Sequence, residues 1–175
     1  MNNNWKDDLK WSSKAFQNLV WPHLKNFLNG RLIFVEQITK SDFARDLDSI
    51  SGIDAWHIID DTGIRGIASR VQVCPPPQKP FNTFTIRKSR DSGVETEYQK
   101  RLRCFNSKEG WLYPVLTVQA YITQKENPSL LSFAIAYTKD IFNKIKRGDY
   151  FVKKTYNAEF YCIKWNNDFC LFIYP

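Results

Sequence analysis

Gly52-Ile53-Asp54-Ala55-Trp56-His57-Ile58-Ile59-Asp60-Asp61-Thr62-Gly63-Ile64-Arg65-Gly66-Ile67-Ala68-Ser69-Arg70-Val71-Gln72-Val73 is the stretch on which the fold turns. Two apolar runs rich in β-branched residues, 53–59 and 64–74, flank Asp60-Asp61-Thr62-Gly63. That tetrapeptide carries strong turn chemistry, so the pair reads as a β-hairpin. Side chains alternate across a strand. Ile67, Ser69, Val71 and Val73 therefore share one face of the second strand, and Ala68, Arg70 and Gln72 share the other. A cation and an amide thus project together from the strand that pairs with the one opened by Asp54. His57 lies mid-strand between Trp56 and Ile58, where a satisfied core histidine is the better reading.

Outward toward the N-terminus, residues 13–28 place Phe16, Leu19, Val20, Leu24, Phe27 and Leu28 at helical spacing, with Ser12 or Ser13 available as a cap. Pro22 within that run predicts a kink or a break. Asn29-Gly30 ends it, and 31–38 reads as a buried strand. Residues 41–48 read as a short polar helix or loop. On the other side, the prolines at 75, 76, 77 and 80 make a stiff connector. Strand patterning then resumes at 81–87. A helix is expected over 94–103, strands over 112–122 and 130–137, and a helix over 138–146 capped by Thr138 and closed by Gly148. A final hairpin is expected from 158–165 and 169–174, turning at Asn166-Asn167-Asp168. The order predicts an α/β (α+β) domain on a mixed central sheet flanked by helices. At 175 residues one domain is expected, with a core over about 13–123 and a C-terminal extension over about 130–175 packed on it.

Composition narrows the functions. Hydrophobic residues make up 43% and aromatics 15%, too many for a disordered chain. No apolar run reaches the roughly 18 residues of a membrane helix, and Met1 to Asp8 holds no apolar secretory segment. A cytoplasmic setting is expected, with no membrane partner. The cysteines at 74, 104, 162 and 170 form no closely spaced pair, which argues against zinc. The glycines form no phosphate-cradling loop, which argues against a nucleotide cofactor. No GxSxG elbow supports a serine nucleophile. The net charge of +7 suits an anionic partner.

Two carboxylates interrupt apolar strands: Glu36 after Ile33-Phe34-Val35, and Asp54 within Gly52-Ile53-Asp54-Ala55. A carboxylate so placed is costly unless it is paired or bound to a cation. If Glu36 and Asp54 converge they could hold Mg²⁺ or Mn²⁺, which take oxygen ligands. Alternatively, both are strand-end groups, solvated or paired with arginine. Arg70 could stabilise charge on a phosphate oxygen, and Gln72 beside it could orient a water. The alternative for these two is an exposed polar stripe. Arg87, Lys88 and Arg90 crowd one strand end, and Lys100 and Arg101, with Arg103, form a second cluster. Lys144, Lys146, Arg147, Lys153 and Lys154 form a third. Basic clusters beside Phe84, Tyr98, Phe105, Tyr150 and Tyr156 point to nucleic acid.

The order of helix, strand, Gly52-Ile53-Asp54-Ala55, turn, strand with a charged tripeptide, strand, helix and strand resembles the PD-(D/E)XK nuclease superfamily, the restriction-endonuclease-like enzymes. The likeness covers roughly residues 13–123. It implies an α-β-β-β-α-β core, with Asp54 the metal-binding aspartate of the first motif and Glu36 an extra acidic ligand. Ala68-Ser69-Arg70 falls where the (D/E)XK tripeptide would lie, so Ala68 replaces a carboxylate and Arg70 a lysine; Gln72 would be a relocated ligand. The resemblance thus implies a Mg²⁺- or Mn²⁺-dependent DNA endonuclease one carboxylate short. The alternative is a catalytically inactive relative, serving as a DNA- or RNA-binding module or as an interaction or inhibitor subunit. DNA is favoured over RNA as partner, and a homodimer or larger assembly is compatible with either.

Overall fold

A computed structural model describes residues 11–35, 51–59, 62–107 and 112–175. Strands β1 (Arg31–Phe34), β2 (Ala55–Ile59) and β3 (Gly63–Val73) form an antiparallel meander, with Ile59 opposite Gly63 and Ala55 opposite Ile67. The expected hairpin is present, though Asp60 and Asp61 of its turn lie outside the described residues. So do Glu36, the end of the expected 31–38 strand, and the expected element at 41–48.

The chain is helical from Trp11 to Leu28, passing through a π turn, Phe16–Val20, before α1 (Trp21–Leu28). Pro22 neither breaks nor ends it. The Trp21 N–H reaches back five residues to the Phe16 carbonyl, so the ladder is already widened where the proline arrives. Pro22 then occupies the first turn of α1, where a missing N–H costs little. Phe16, Val20, Leu24 and Leu28 bury against Phe34, Ala55, Ile67, Val71, Leu116 and Val118.

The connector at 75–80 leads into β4 (Thr83–Arg90). Helix α2 (Glu97–Asn106) starts three residues later than expected, because Thr96 and Gln99 form a capping box. It leads to β5 (Pro114–Ile122), which lies parallel to β3 with Ile67 opposite Leu116 and Val73 opposite Ile122. Next come β6 (Leu130–Tyr137), α3 (Thr138–Arg147), β7 (Phe151–Lys154), β8 (Ala158–Lys164) and β9 (Cys170–Tyr174). Six strands form a mixed central sheet in the order β1-β2-β3-β5-β6-β9, and a second sheet has the order β4-β8-β7. The fold is α+β.

Four expectations need correction. The 81–87 strand runs to Arg90 and lies in the second sheet, because the proline connector carries the chain off the central sheet and β5 takes the long edge of β3. The final hairpin does not form: both edges of β8 are taken by β4 and β7, so β9 crosses to the free edge of β6. Thr138 is not a cap. Tyr137 holds that position, and the Thr138 hydroxyl pairs instead with the Thr117 hydroxyl at 2.9 Å inside the core. Strand β7 was unforeseen, because four exposed residues ending in two lysines carry no burial pattern; only pairing with β8 makes them a strand.

His57 is the satisfied core histidine expected. It is fully buried, with Nε2–H donating to the Asn29 carbonyl and Nδ1 accepting the Arg65 Nε–H at 3.0 Å. Burial lowers its pKa and the Arg65 charge adds to that, against the Asn29 carbonyl. The same corner constrains Gly30, whose φ is 99° and whose absent Cβ would lie 2.2 Å from the Ile58 carbonyl oxygen. Gly30→Ala should combine a positive-φ penalty with a backbone clash and cost about 3 kcal/mol or more. Thermal denaturation should show a fall of about 6–12 °C for a chain of this size. An unchanged melting temperature would mean that the corner relaxes freely.

Candidate functional site

Strand β3 is longer than its neighbour. The last β2–β3 pair is Ala55 with Ile67, and β3 continues to Val73, so among the described residues no strand pairs with 68–73 on that side. Asp54 sits at the lip. Its backbone N–H donates to the Ile67 carbonyl at 2.9 Å, and its Oδ2 accepts the Ser69 N–H. The carboxylate thus extends the ladder by one bond that β2 itself no longer provides.

A cleft of about 640 Å³ opens there, lined by Asp54, Arg70, Arg87, Arg90, Lys100 and Arg101, together with Glu95 and Glu97. Five cations face three carboxylates. Of the residues singled out from the sequence, Asp54 and Arg70 come together as expected, and so do Arg87, Arg90, Lys100 and Arg101. Two of the described ones do not join them. Gln72, two residues beyond Arg70, lines a separate depression. Lys88 pairs with Glu159 at 2.9 Å and lies over the Tyr161 ring, because neighbouring strand residues point to opposite faces. Glu36 lies outside the described residues.

The arginines are held firmly. Arg70 donates to the Thr85 carbonyl at 2.7 Å and to its hydroxyl at 3.2 Å; that hydroxyl in turn donates to Gln119 Oε1 at 2.9 Å. The Arg70 and Arg87 guanidinium carbons both lie over the Phe160 ring, 5.2 and 5.4 Å from its centroid. Arg101 is a buried residue, 2% exposed, paired with Glu97 at 2.7 Å and donating to Thr117 Oγ1 at 3.3 Å. It is a floor residue, not the surface cation that the sequence implies. Burial opposes ionisation of Glu97. Arg101, Arg70, the Arg87 N–H and the Arg87 charge overcome that and hold the carboxyl below its ordinary value. Burial, with the like charges of Arg70 and Arg90, lowers the pKa of Arg87 despite Glu97.

Among the described residues, five buried side-chain polar atoms lack a hydrogen-bond partner. Four belong to this cleft: Arg87 Nε, Arg90 Nε, Arg101 Nε and Gln119 Nε2. All four are donors. Buried donors are rarely left unpaired, so the packing around these arginines is unusually rich in donors.

Glu97, Gln119, Thr85 and Phe160 were missed from the sequence. Two carried a signal: Glu97 stands one helical turn before Arg101, and Gln119 is a lone amide inside the apolar strand β5. Thr85 and Phe160 carried none, because β4 and β8 meet β3 only in the tertiary fold. No three His, Cys, Asp or Glu groups cluster to hold a metal among the described residues, and no helix there is long and apolar enough to cross a membrane. No family model, curated protein or solved structure matches the chain.

Glu97→Gln should leave the buried Arg101 charge uncompensated and cost about 2 kcal/mol, the low end for a pair with one partly open partner. Because the folded carboxyl titrates below the usual 4.5, its contribution is complete above that value and is lost as pH falls below it. Urea melts from pH 7 to pH 3 should therefore fall less steeply below 4.5 in Glu97→Gln than in wild type. Equal acid slopes would show that Glu97 is not the carboxylate that matters.

Proposed function

We propose that this protein binds the phosphodiester backbone of nucleic acid, DNA before RNA, in the cleft at the open edge of β3. The observation that carries this reading is one cleft in which, among the described residues, five cations gather against three carboxylates, with Arg70, Arg87 and Arg90 crowded together. Phosphate oxygens are the acceptors that suit such a site. Guanidinium groups pair with them through two parallel bonds, and an entering anion also relieves the mutual repulsion of Arg70, Arg87 and Arg90.

Cleavage is the second reading, favoured by Asp54 and Arg70 sharing that cleft from adjacent strands, as in the PD-(D/E)XK resemblance. Mg²⁺ is commonly held by one or two carboxylates, waters and substrate phosphate. Asp54 fits the protein's share of such a set, and Glu97 does not, being committed to Arg101. A bound cation would supply a more acidic water. Arg70, fixed by Thr85 and stacked on Phe160, would steady charge on the phosphate and, staying protonated, would not act as a base. Ala68, where the resemblance puts a carboxylate, leaves the set lean; this is the feature that favours a binding module over an enzyme.

Fluorescence anisotropy with a labelled duplex across a salt series should give a linear fall of log K with log salt. Arg87→Ala and Arg90→Ala should each weaken binding and reduce the slope by about one. Binding absent at low salt, or indifferent to both variants, would overturn the reading. Cleavage is tested with Mg²⁺ and Mn²⁺ on plasmid and single-stranded DNA, comparing wild type with Asp54→Asn, which keeps an oxygen for the Ser69 N–H. Nicking faster with Mn²⁺ than Mg²⁺ and lost in Asp54→Asn is expected of the enzyme. Normal binding with intact DNA under both ions would leave the binding module.

A further inference from the structure

A second, separate depression of about 450 Å³ lies two residues along β3 from Arg70, lined by Gln72, Gln78, Lys79, Phe81, Tyr121 and Lys153. Two registers join the sites. On β3, Arg70 and Gln72 point to the same face one pleat apart, about 6.6–6.8 Å along the strand, which is comparable to one nucleotide of extended chain. In the second sheet, Arg87, Phe160 and Lys153 are cross-strand partners, so they share the face toward which Arg70 stacks. Phe81, just before β4, leaves 54% of its surface exposed, and the Lys153 ammonium stands 4.3 Å from its ring centroid. Gln78 and Lys79 are exposed beside it, and Gln72 is half-buried. Tyr121 closes the floor with its hydroxyl already donating to the Thr83 carbonyl at 3.2 Å.

This combination has a chemical meaning. An exposed aromatic ring presents a face to a flat π-system. Two primary amides offer both donors and acceptors to a heterocyclic edge, and two lysines offer charge to a phosphate. Single-strand binders combine these parts: a stacking platform beside a cationic track. A base inside a duplex keeps its faces covered by its neighbours and cannot use the ring.

We propose that this depression is a subsite for one unpaired nucleobase, stacked on Phe81 with its edge toward Gln72 and Gln78, next to the backbone gripped in the cleft. The inference rests on the phosphodiester reading above and sharpens it: the preferred ligand is single-stranded nucleic acid, or a duplex end or junction offering an unpaired base.

Anisotropy with a short labelled oligothymidylate and with a blunt duplex separates the two claims. For Phe81→Ala, the single strand should bind about 5- to 150-fold more weakly, the range for loss of one stacked base. Duplex affinity and both salt slopes should stay unchanged, because no phosphate contact is removed. Phe81→Trp should bind the single strand at least as well as wild type, and Arg90→Ala should weaken both ligands. Equal effects of Phe81→Ala on both ligands, or none on either, while Arg90→Ala still weakens both, would overturn the base subsite and leave the cleft standing. If neither ligand binds wild type at low salt, the cleft and the subsite fall together. Phe81 is a surface residue, so matching circular dichroism and melting curves should accompany these substitutions.

Discussion

Strand β3 is shared unevenly between two neighbours, and the rest of the arrangement depends on that offset. Its first half pairs with β2 and its second half with β5, the overlap being Gly66 and Ile67. Among the described residues, no strand follows β2 along Ser69 to Val73, and the cleft lies beside that stretch. Instead the chain approaches from Ile53, and the Asp54 carboxylate accepts the Ser69 N–H in place of a further strand residue. An acidic side chain thus stands at the point where the backbone ladder ends. One residue both finishes the sheet and faces the cavity that the unfinished sheet creates.

The electrostatics of that cavity are built in layers. At the floor, the buried Arg101 pairs with the half-buried Glu97. Such pairs add little net stability but are costly to break, so this one works as scaffolding that fixes α2 against β5 through Thr117. Above it, Arg70 and Arg87 rest on the Phe160 ring, where a flat cation tolerates partial desolvation better than an ammonium would. Burial and the neighbouring charges of Arg70 and Arg90 lower the pKa of Arg87, and Glu97 opposes them only in part. Like charges held this close, with buried donors unmet, oppose the stability of the fold.

The hairpin, the helices and most strands were legible in the sequence because each announces itself locally. Alternation marks β2 and β3, 3.6-residue spacing marks α1 and α3, and glycine marks the ends near Gly30 and Gly148. The placement of Asp54 beside Arg70 was legible for the same reason: a hairpin relates residues through a short turn, and strand parity does the rest. Lys88 and Gln72 show where that reasoning stops. Parity says which face of a strand a side chain takes, but not what lies over that face; Lys88 meets Glu159 from β8, and Gln72 lines a depression with Phe81 and Lys153.

By itself, then, the sequence determined the α+β class, the order of its main elements and the pairing of β2 with β3, because these follow from contacts between near neighbours in the chain. It also determined that the chain is basic and rich in rings. Only the tertiary structure decided which strands share a sheet. The partner of β8 depended on edges left open by segments up to 81 residues away, Thr83 lying opposite Lys164, and once β4 and β7 had taken both, β9 had to cross to β6. That competition for edges carries Phe160 to Arg70, Thr85 to Gln119 and Lys153 to Phe81. No local pattern encodes it, because hydrogen-bonding edges are alike in every strand and only packing determines which of them remain free.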